Sequence, residues 1–416
     1  MPSTETPVSR TAAKPAHRDS NVLRWLVAYA ASVVGDSSFF LALGWAANQI
    51  AGPAEVGVVM AVGAVPRAVF MLGGGVIADR LGPRRVVVSS DAVRCLVILA
   101  AAAALTLASP GLWLLIAVAL IFGVVDAVFM PAMGALPPRL TGSDQLLRVQ
   151  GMRALAIRLG NTTGPPLAGL AMAFSGPAAA FTTTGGLFAL SLVLLLTVRI
   201  AALPAEQNDP AAGPGVWREL VDGLRYVRRQ RLIGVLVMAS ALVELGSVGP
   251  LNVGLVLLAD ERNWGPSGAG WVIGAFSVGA GVSALLLALT SRMPRPGLVQ
   301  IITLTVGSAG IASFGLASSL PVAAGIGALA GLMLGLSGGL TYALVQAATE
   351  PSYFGRVMSL FSLASFGLGP LTYPVFGAAV GVGGTGPVFA GFGAVCFLGA
   401  VGCMFSSAVR RAELPT

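Results

Sequence analysis

Between two long apolar stretches the chain reads Gly75-Val76-Ile77-Ala78-Asp79-Arg80-Leu81-Gly82-Pro83-Arg84-Arg85. Gly75 has no side chain, so two helices can approach each other closely at that point. Gly82 permits a tight reversal of the backbone, and Asp79 carries a charge that is stable beside the positive N-terminus of a helix. The run therefore predicts two long helices joined by a short, strongly charged turn.

The composition around this run is that of a membrane protein. Hydrophobic residues make up 56% of the 416 residues, and charged residues only 10%. Soluble domains usually carry ~25% charged residues. A water-facing surface cannot be built from so few charges, so the composition excludes a soluble globular enzyme.

Twelve apolar stretches are long enough to be membrane-spanning helices, since ~20 residues of helix cross the ~30 Å hydrocarbon layer. They predict an all-α membrane protein with a tail at 1–21, a six-helix bundle at 22–200, a linker with an amphipathic helix at 201–231, a second bundle at 232–409 and a tail at 410–416. The predicted spans are 22–48, 54–78, 86–108, 111–138, 147–174, 177–199, 232–258, 267–290, 298–318, 321–348, 356–380 and 387–409.

The basic residues predict the orientation of the chain. With an even number of spans both termini lie on one side, and outside the spans only Arg262 falls in a loop on the opposite side. This asymmetry follows the positive-inside rule, so the termini are expected in the cytoplasm and the net charge of +8 reflects topology and anionic lipid, not nucleic acid. The strong preference for Arg over Lys indicates a bacterial genome, which predicts a multi-pass protein of the bacterial cytoplasmic (inner) membrane.

The chain has 416 residues, and its two halves align when the sequence is compared with itself at a shift of half that length. The shift relates two acids, Asp36 and Glu244, and it also relates small or helix-breaking residues that include the pairs Pro166 with Pro374 and Gly169 with Gly377. Six-helix halves with both termini on one side are parallel repeats, related by a pseudo-two-fold axis along the membrane normal. The sequence therefore predicts the geometry of a transporter.

The charged turn resembles the signature of the major facilitator superfamily, G-x3-D-[RK]-x-G-x-[RK]-[RK], at every defined position: Gly75, Asp79, Arg80, Gly82, Arg84 and Arg85. The resemblance implies two six-helix bundles and a cytoplasmic gate, a latch that holds the outward-facing state closed to the cytoplasm. Asp91 and Arg94, one helical turn apart in the next span, can extend this ionic cluster.

A second motif in the fifth span resembles the G-x3-G-P-x2-G-G motif of the superfamily's antiporters. It is carried by Gly160, Gly164, Pro165 and Gly169, with Ala168 in place of the first of the final two glycines. Proline and small residues predict a kinked, closely packed helix, and the resemblance implies export. The arginine that such antiporters often carry early in the fourth span is absent from 116–123, and the run around Asp126 is more similar to the macrolide-efflux and siderophore-export branch.

Several ionisable residues lie deep inside predicted spans, where a charge costs at least ~2.5 kcal/mol and usually serves function. Asp36 and Glu244 are predicted near mid-depth on facing halves of one cavity, with Asp36 as the principal proton carrier and Glu244 as a second carrier or a cation-recognition site. Asp126 is grouped with these two acids as a proton-coupling residue, and it is expected to form an ion pair with Arg158 at similar depth. Arg67 is expected to hold Asp36 when that acid is unprotonated. The alternative is that these carboxyl groups only stabilise packing.

These features lead to the hypothesis of a proton-coupled antiporter that exports a small amphipathic molecule, such as a drug, macrolide or siderophore-like metabolite, by alternating access. An uncoupled facilitator or an importer of the same fold is the alternative within transport. A membrane-embedded enzyme acting on lipid would need a clustered nucleophile, base or metal set, which the sequence does not offer. No cofactor or metal is predicted, and the protein is expected to be a monomer. Side chains expected to line the substrate pocket are Phe39, Phe40, Asn161, Asn252, Tyr342 and Gln346.

Overall fold

A computed structural model describes residues 18–108, 111–142, 144–198, 216–290 and 293–413, which are mostly helical and contain no strand. The helices of these residues are α1 Ser20–Asn48, α2 Pro53–Leu81, α3 Pro83–Leu107, α4 Leu112–Gly134, α5 Pro137–Leu140, α6 Leu146–Thr197, α7 Val216–Arg229, α8 Arg231–Gly249, α9 Leu255–Glu261, α10 Gly265–Leu289, α11 Pro296–Ser313, α12 Leu320–Ala348, α13 Phe354–Ser362, α14 Thr372–Gly383, α15 Thr385–Phe405 and α16 Ser407–Arg410.

Ten helical segments of the described residues are long and apolar enough to cross a membrane. One of them, the 52-residue α6, contains non-helical dihedral angles at Ser175 and Gly176. Gly176 has φ +72°, a left-handed conformation that glycine adopts without strain. The predicted fifth and sixth spans are the two limbs on either side of this turn. The 29-residue α2 occupies the predicted second span, so the helices are consistent with the predicted twelve spans.

Two spans of the second half are interrupted. Between α8 and α9 a π-helical turn covers Pro250–Gly254. Between α13 and α14 a π-helical turn at Leu363–Gly367 is followed by a 3-10 turn at Gly369–Leu371. Pro250 and Pro370 have no backbone N–H to donate, so they weaken the regular hydrogen-bond ladder at both places.

The apolar core consists of three clusters of buried residues. One joins both halves of the chain and includes Leu43 and Val56 together with Val256. The second is drawn only from the first half, around Val22, and the third only from the second half, around Ile233. We call the side of the shared cluster the far side, and the opposite side, where α1 begins and α15 ends, the termini side. Among the described residues, the halves are therefore joined on the far side and have separate cores on the termini side.

The far-side contact between the halves depends on two glycines related by the half-length shift. A Cβ on Gly169 of α6 would lie 2.6 Å from the carbonyl oxygen of Pro266 at the start of α10. A Cβ on Gly377 of α14 would lie 2.2 Å from the carbonyl oxygen of Pro53 at the start of α2. Because only glycine allows backbones to approach this closely, the α6–α10 and α2–α14 contacts support the predicted pseudo-two-fold axis.

The linker forms the predicted helix, α7, whose polar residues include Arg228 and Arg229 in its last turn. Tyr226 of α7 stacks on Tyr353 with ring centroids 4.3 Å apart, and its hydroxyl accepts a hydrogen bond from the backbone N–H of Glu350 at 3.2 Å. These contacts attach α7 to the second half on the termini side. Contact of α7 with lipid headgroups stays a prediction, and the side chains of 216–220 lie outside those described.

Gly331 of α12 offers a test of this close packing. A Cβ on Gly331 would lie 2.0 Å from the carbonyl oxygen of Phe276, whereas a Cβ on Gly338 of the same helix would meet nothing within 4 Å. We expect Gly331→Ala to destabilise the protein by about 1–3 kcal/mol through overpacking. Gly338→Ala should be neutral or stabilising by about 0.5–1 kcal/mol, because alanine favours the helix. Thermal unfolding in detergent measures both, and equal stability of the two variants would contradict the packing.

Candidate functional site

Arg94 of α3 lies at the centre of a buried group of charges. Its Nη1 donates hydrogen bonds to Asp36 Oδ1 of α1 at 2.8 Å and to Asp126 Oδ1 of α4 at 2.9 Å. Its Nη2 donates to Asp91 Oδ1, one turn earlier in α3, and to Ser32 Oγ of α1 at 3.1 Å. One guanidinium thus connects three carboxylates from three helices.

A second arginine and a serine complete the contacts of the acids. Arg67 Nη1 of α2 lies 3.5 Å from Asp126 Oδ2. Ser191 Oγ, in the second limb of α6, donates to Asp91 Oδ2 at 2.5 Å. Burying an unpaired carboxylate is very unfavourable, so these partners are what makes the position of the acids possible. We call Asp36, Arg67, Asp91, Arg94 and Asp126 the buried ion cluster.

Aromatic rings form the apolar walls of the cluster. The Arg94 guanidinium carbon lies 3.8 Å from the centroid of Phe129 and 4.7 Å from that of Phe188. Both distances are within the range of a cation–π attraction, which strengthens when water is excluded. Phe188 in turn lies against Gly35, where a Cβ would come within 3.1 Å of the ring. The residue beside Asp36 is therefore small enough to let this ring reach Arg94.

The cluster contains three carboxylates and two guanidiniums, so with every group ionised it carries one surplus negative charge. The side chains of Asp91 and Asp126 are 0% and 1% exposed, whereas that of Asp36 is 17% exposed and that of Arg67 is 34% exposed. Asp36 is consequently the most exposed of the three acids of the cluster.

The structure corrects two of the predicted ion pairs. The pair between Asp126 and Arg158 is not formed, because α4 packs on α2 and α3, whereas α6 packs on α1, α3 and α10. Asp126 instead binds Arg94 and Arg67, and Arg158 is exposed. The predicted contact of Arg67 with Asp36 is also replaced, since Arg94 holds Asp36 and Arg67 reaches Asp126. Asp91 and Arg94 do form the predicted pair one turn apart, and it belongs to the cluster.

Glu244 of α8 lies apart from the cluster. Its carboxyl group lies against Gly369, in the 3-10 turn that precedes α14. Within the described ranges no hydrogen bond or ion pair joins Glu244 to Asp36. Tyr373 interacts electrostatically with Arg67 of the first half and with Glu244 of the second. A shared cavity for Asp36 and Glu244 stays a prediction.

The charged turn between α2 and α3 is built as the sequence predicts. Gly82 has φ +86° and links the two helices directly. Arg84 Nη2 donates to the carbonyl oxygen of Leu196 at 3.2 Å, while the side chains of Arg80 and Arg85 are exposed. The side chains of 71–76, 78 and 79, which include Gly75 and Asp79, lie outside those described, so the latch stays a prediction.

The glycines of the α6 motif lie against α1, the helix that carries Asp36. A Cβ on Gly160 would lie 2.6 Å from Val33 Cγ1, and one on Gly164 would lie 2.7 Å from Ser37 Cβ. Ser38 Oγ donates to the carbonyl oxygen of Gly164 at 2.9 Å. The predicted close packing is confirmed. Helical dihedral angles continue through the motif's prolines, and the break comes at 175–176.

The predicted pocket residues differ in their environments. Phe39 is fully buried and stacks on Phe122 with centroids 3.9 Å apart, so it is a core residue and not a pocket residue. Phe40 is half-buried beside it. The polar candidates all form hydrogen bonds: Asn161 Oδ1 accepts from Ser37 Oγ at 2.8 Å, Asn252 Nδ2 donates to Val248 O at 2.9 Å, and Gln346 Nε2 donates to Tyr342 Oη at 3.1 Å.

Two polar contacts of the cluster were absent from the sequence predictions. Ser32 lies one turn before Asp36, so helical spacing could have indicated it as a neighbour of that acid. Ser191 lies in another helix, and its position in the sequence carries no signal for the contact with Asp91.

The chain is similar in sequence to known membrane transporters, in agreement with its fold. A family model described as Major Facilitator Superfamily matches residues 25–251 and 239–415. The enterobactin exporter EntS of Salmonella typhimurium (strain LT2) is 27% identical over 346 residues, which cover 79% of this chain and 80% of that protein. EntS of Escherichia coli O9:H4 (strain HS) is 27% identical over 321 residues, covering 76% and 73%.

Two solved structures are similar in fold. The nucleoside transporter NupG has a TM-score of 0.73 at 15% identity, covering 95% of this chain and 100% of that one. The inward-open xylose transporter XylE from E. coli has a TM-score of 0.65 at 15% identity, covering 92% and 94%.

Proposed function

Because the chain belongs to the major facilitator superfamily, we propose that this multi-pass membrane transporter exports a small amphipathic molecule in exchange for protons, by alternating access. The observation that carries the proposal is the buried ion cluster, in which three acids share two arginines and Asp36 alone among the acids is partly exposed. The relatives named as enterobactin exporters make a siderophore-like metabolite the first cargo to test, ahead of drugs and macrolides.

The proposal places the termini side in the cytoplasm of a bacterium, with the chain in the inner membrane. Exposed Arg80, Arg84 and Arg85 on that side support this orientation through the positive-inside rule. With the halves joined on the far side and separate on the termini side, the conformation then corresponds to a state open to the cytoplasm. In this state cargo enters the cleft that we place between the two halves on the termini side.

One proton removes the surplus charge of the cluster. A net charge enclosed in a low-dielectric interior is costly, so the cluster favours a proton whenever water is excluded from it. When the cleft opens and water reaches Asp36, the carboxylate can be solvated and the proton can leave. Protonation of Asp36 also leaves Asp126 as the only charged carboxylate that Arg94 Nη1 contacts. Proton uptake from the far side and release to the cytoplasm would then accompany each export cycle.

Glu244 has a separate part in the proposal. It lies against the interrupted span between α13 and α14, so a change in its charge acts on the region where that span is least regular. We assign it as a second proton carrier or as a cation-recognition group.

Asp36→Asn tests the proposal in inverted membrane vesicles, where export appears as uptake into an acidic lumen. We expect the variant to lose at least about tenfold of the proton-driven uptake of the siderophore enterobactin, because an amide cannot bind and release a proton. Exchange of labelled for unlabelled siderophore at equal pH should persist. Asp222→Asn, at an exposed side chain of the linker helix α7, is the matched control and should behave as wild type.

Two results would contradict the proposal. Intact proton-driven uptake by Asp36→Asn would remove Asp36 as the carrier. Wild-type uptake that continues unchanged after the pH gradient is collapsed would instead support an uncoupled facilitator.

A further inference from the structure

We infer that the cleft between the halves binds an anionic group of the cargo, a carboxylate or a similar organic anion, and that Arg158 of α6 receives it. The inference rests on the proposed transport function and adds the charge class of the cargo.

The deep acids of the first half expose little negative charge to the cleft. Asp91 and Asp126 are 0% and 1% exposed and are held by Arg94. Asp36 is also bound to Arg94, and only 17% of its side chain is exposed. A cargo in the cleft therefore meets little of the negative charge that the sequence places in the first half.

Helical geometry directs Arg158 towards the second half. The residues of α6 that share its face lie four, seven, eight and eleven positions further along the helix, and they are Thr162, Pro165, Pro166 and Gly169. Those residues contact α10: a Cβ on Gly270 would lie 2.4 Å from Pro165 O, and one on Gly274 would lie 2.8 Å from Pro166 Cγ and 3.2 Å from Thr162 O. Arg158 lies one turn closer to the termini side than Thr162, and it is exposed there.

The neighbours of Arg158 on α6 distinguish the cleft from lipid. Asn161, three residues on, is exposed and hydrogen-bonded to Ser37 of α1. The exposed Leu159 lies on the adjoining face and provides apolar surface suited to lipid. The arginine and the asparagine thus belong to one polar strip between α1 and α10.

Arg158 forms no ion pair with any residue that the structure describes, and it is exposed. An unpaired arginine at membrane depth is unfavourable unless it faces water or a ligand. The planar guanidinium matches a carboxylate by two parallel hydrogen bonds. Arg67, 34% exposed and in contact with Asp126 through Nη1 alone, adds a second positive group that an anion in the cleft can approach.

The test measures the charge preference of the site without any cargo. A reporter cysteine, Asn161→Cys, is placed in a background in which Cys95, Cys396 and Cys403 are replaced by alanine. The purified folded protein is then labelled with two methanethiosulfonate reagents, an anionic one that carries a sulfonate and a cationic one that carries a trimethylammonium group. We expect Arg158→Gln to lower the anionic-to-cationic rate ratio by about fivefold, the effect of one nearby unit charge in a watery environment. Arg158→Lys should retain the ratio, and Arg225→Gln, at an exposed side chain of the linker helix α7, should leave it unchanged.

An unchanged ratio in Arg158→Gln would overturn the inference. Labelling is repeated in vesicles of zwitterionic lipid with and without added anionic lipid, and protection by anionic lipid would assign the site to a headgroup and overturn its role with cargo. In transport, Arg158→Gln should raise KM for the siderophore at least about tenfold with kcat nearly unchanged. If the wild type exports no siderophore, that cargo is wrong while the rate ratio still stands, so the two failures are distinguishable.

Discussion

Arg94→Met is expected to prevent accumulation of folded protein in the membrane. The substitution keeps a long side chain but leaves Asp91 and Asp126 buried without the guanidinium that binds both. Removing one partner of a buried ion pair costs about 3–5 kcal/mol, and here one residue serves three acids. Such a loss approaches the whole stability of a typical domain, about 5–15 kcal/mol. The yield of monodisperse protein after detergent extraction, and its unfolding temperature, measure the effect.

A compensated variant separates lost charge pairing from lost packing. Adding Asp91→Asn and Asp126→Asn to Arg94→Met removes both fully buried carboxylates, and the amide oxygen introduced by Asp91→Asn can still accept the hydrogen bond from Ser191. We expect this triple variant to regain folding, although it should lack proton-driven transport. If Arg94→Met folded with wild-type stability, Asp91 and Asp126 would not be buried carboxylates that depend on the Arg94 guanidinium.

Gly377→Leu is expected to abolish transport while leaving the protein folded. A side chain at Gly377 cannot coexist with Pro53, whose carbonyl oxygen would lie 2.2 Å from the new Cβ. The contact between α14 and α2 on the far side would therefore not form, and the transporter could not adopt the state open on the termini side. Gly381→Leu, one turn further along α14 where a Cβ meets nothing within 4 Å, should transport normally.

The far side of the Gly377 variant can be monitored directly. Val256 of α9 is fully buried against Gly44 of α1, across the two halves. In a Val256→Cys background, Gly377→Leu should raise the rate of labelling by a membrane-impermeant thiol reagent at least about tenfold, because the far-side contact is open more of the time. An unchanged labelling rate together with normal transport would show that this contact is not needed for alternating access.

The positions of the helices and the charged turn were predictable because they depend on local features. Apolar runs are long enough to span a membrane, and Gly82 adopts the positive φ expected of a tight reversal. The glycine contacts at Gly160 and Gly164 were also expected, since small residues in a spanning helix indicate close approach of another helix. The partner of each contact was not predictable from spacing.

The ion pairs show where prediction from the sequence ended. Counting residues placed Asp126 and Arg158 at similar depth, but depth does not determine which helices are neighbours. Arg94 was expected to extend the ionic cluster of the charged turn, yet its side chain extends into the protein and forms ion pairs with acids of α1, α3 and α4. Phe39, assigned to the pocket by its chemistry, belongs to the core because Phe122 covers its ring.

Local hydrophobicity, glycine and charge thus determined by themselves that this chain is a bundle of membrane helices with a duplicated plan, because each of these properties acts within one helix or one turn. Only the tertiary structure decided that Arg94 gathers the acids and that Arg158 is left unpaired among the described residues. Charge pairing inside a membrane depends on which helices touch and on how far each side chain reaches, and both are settled by packing between segments distant in the sequence.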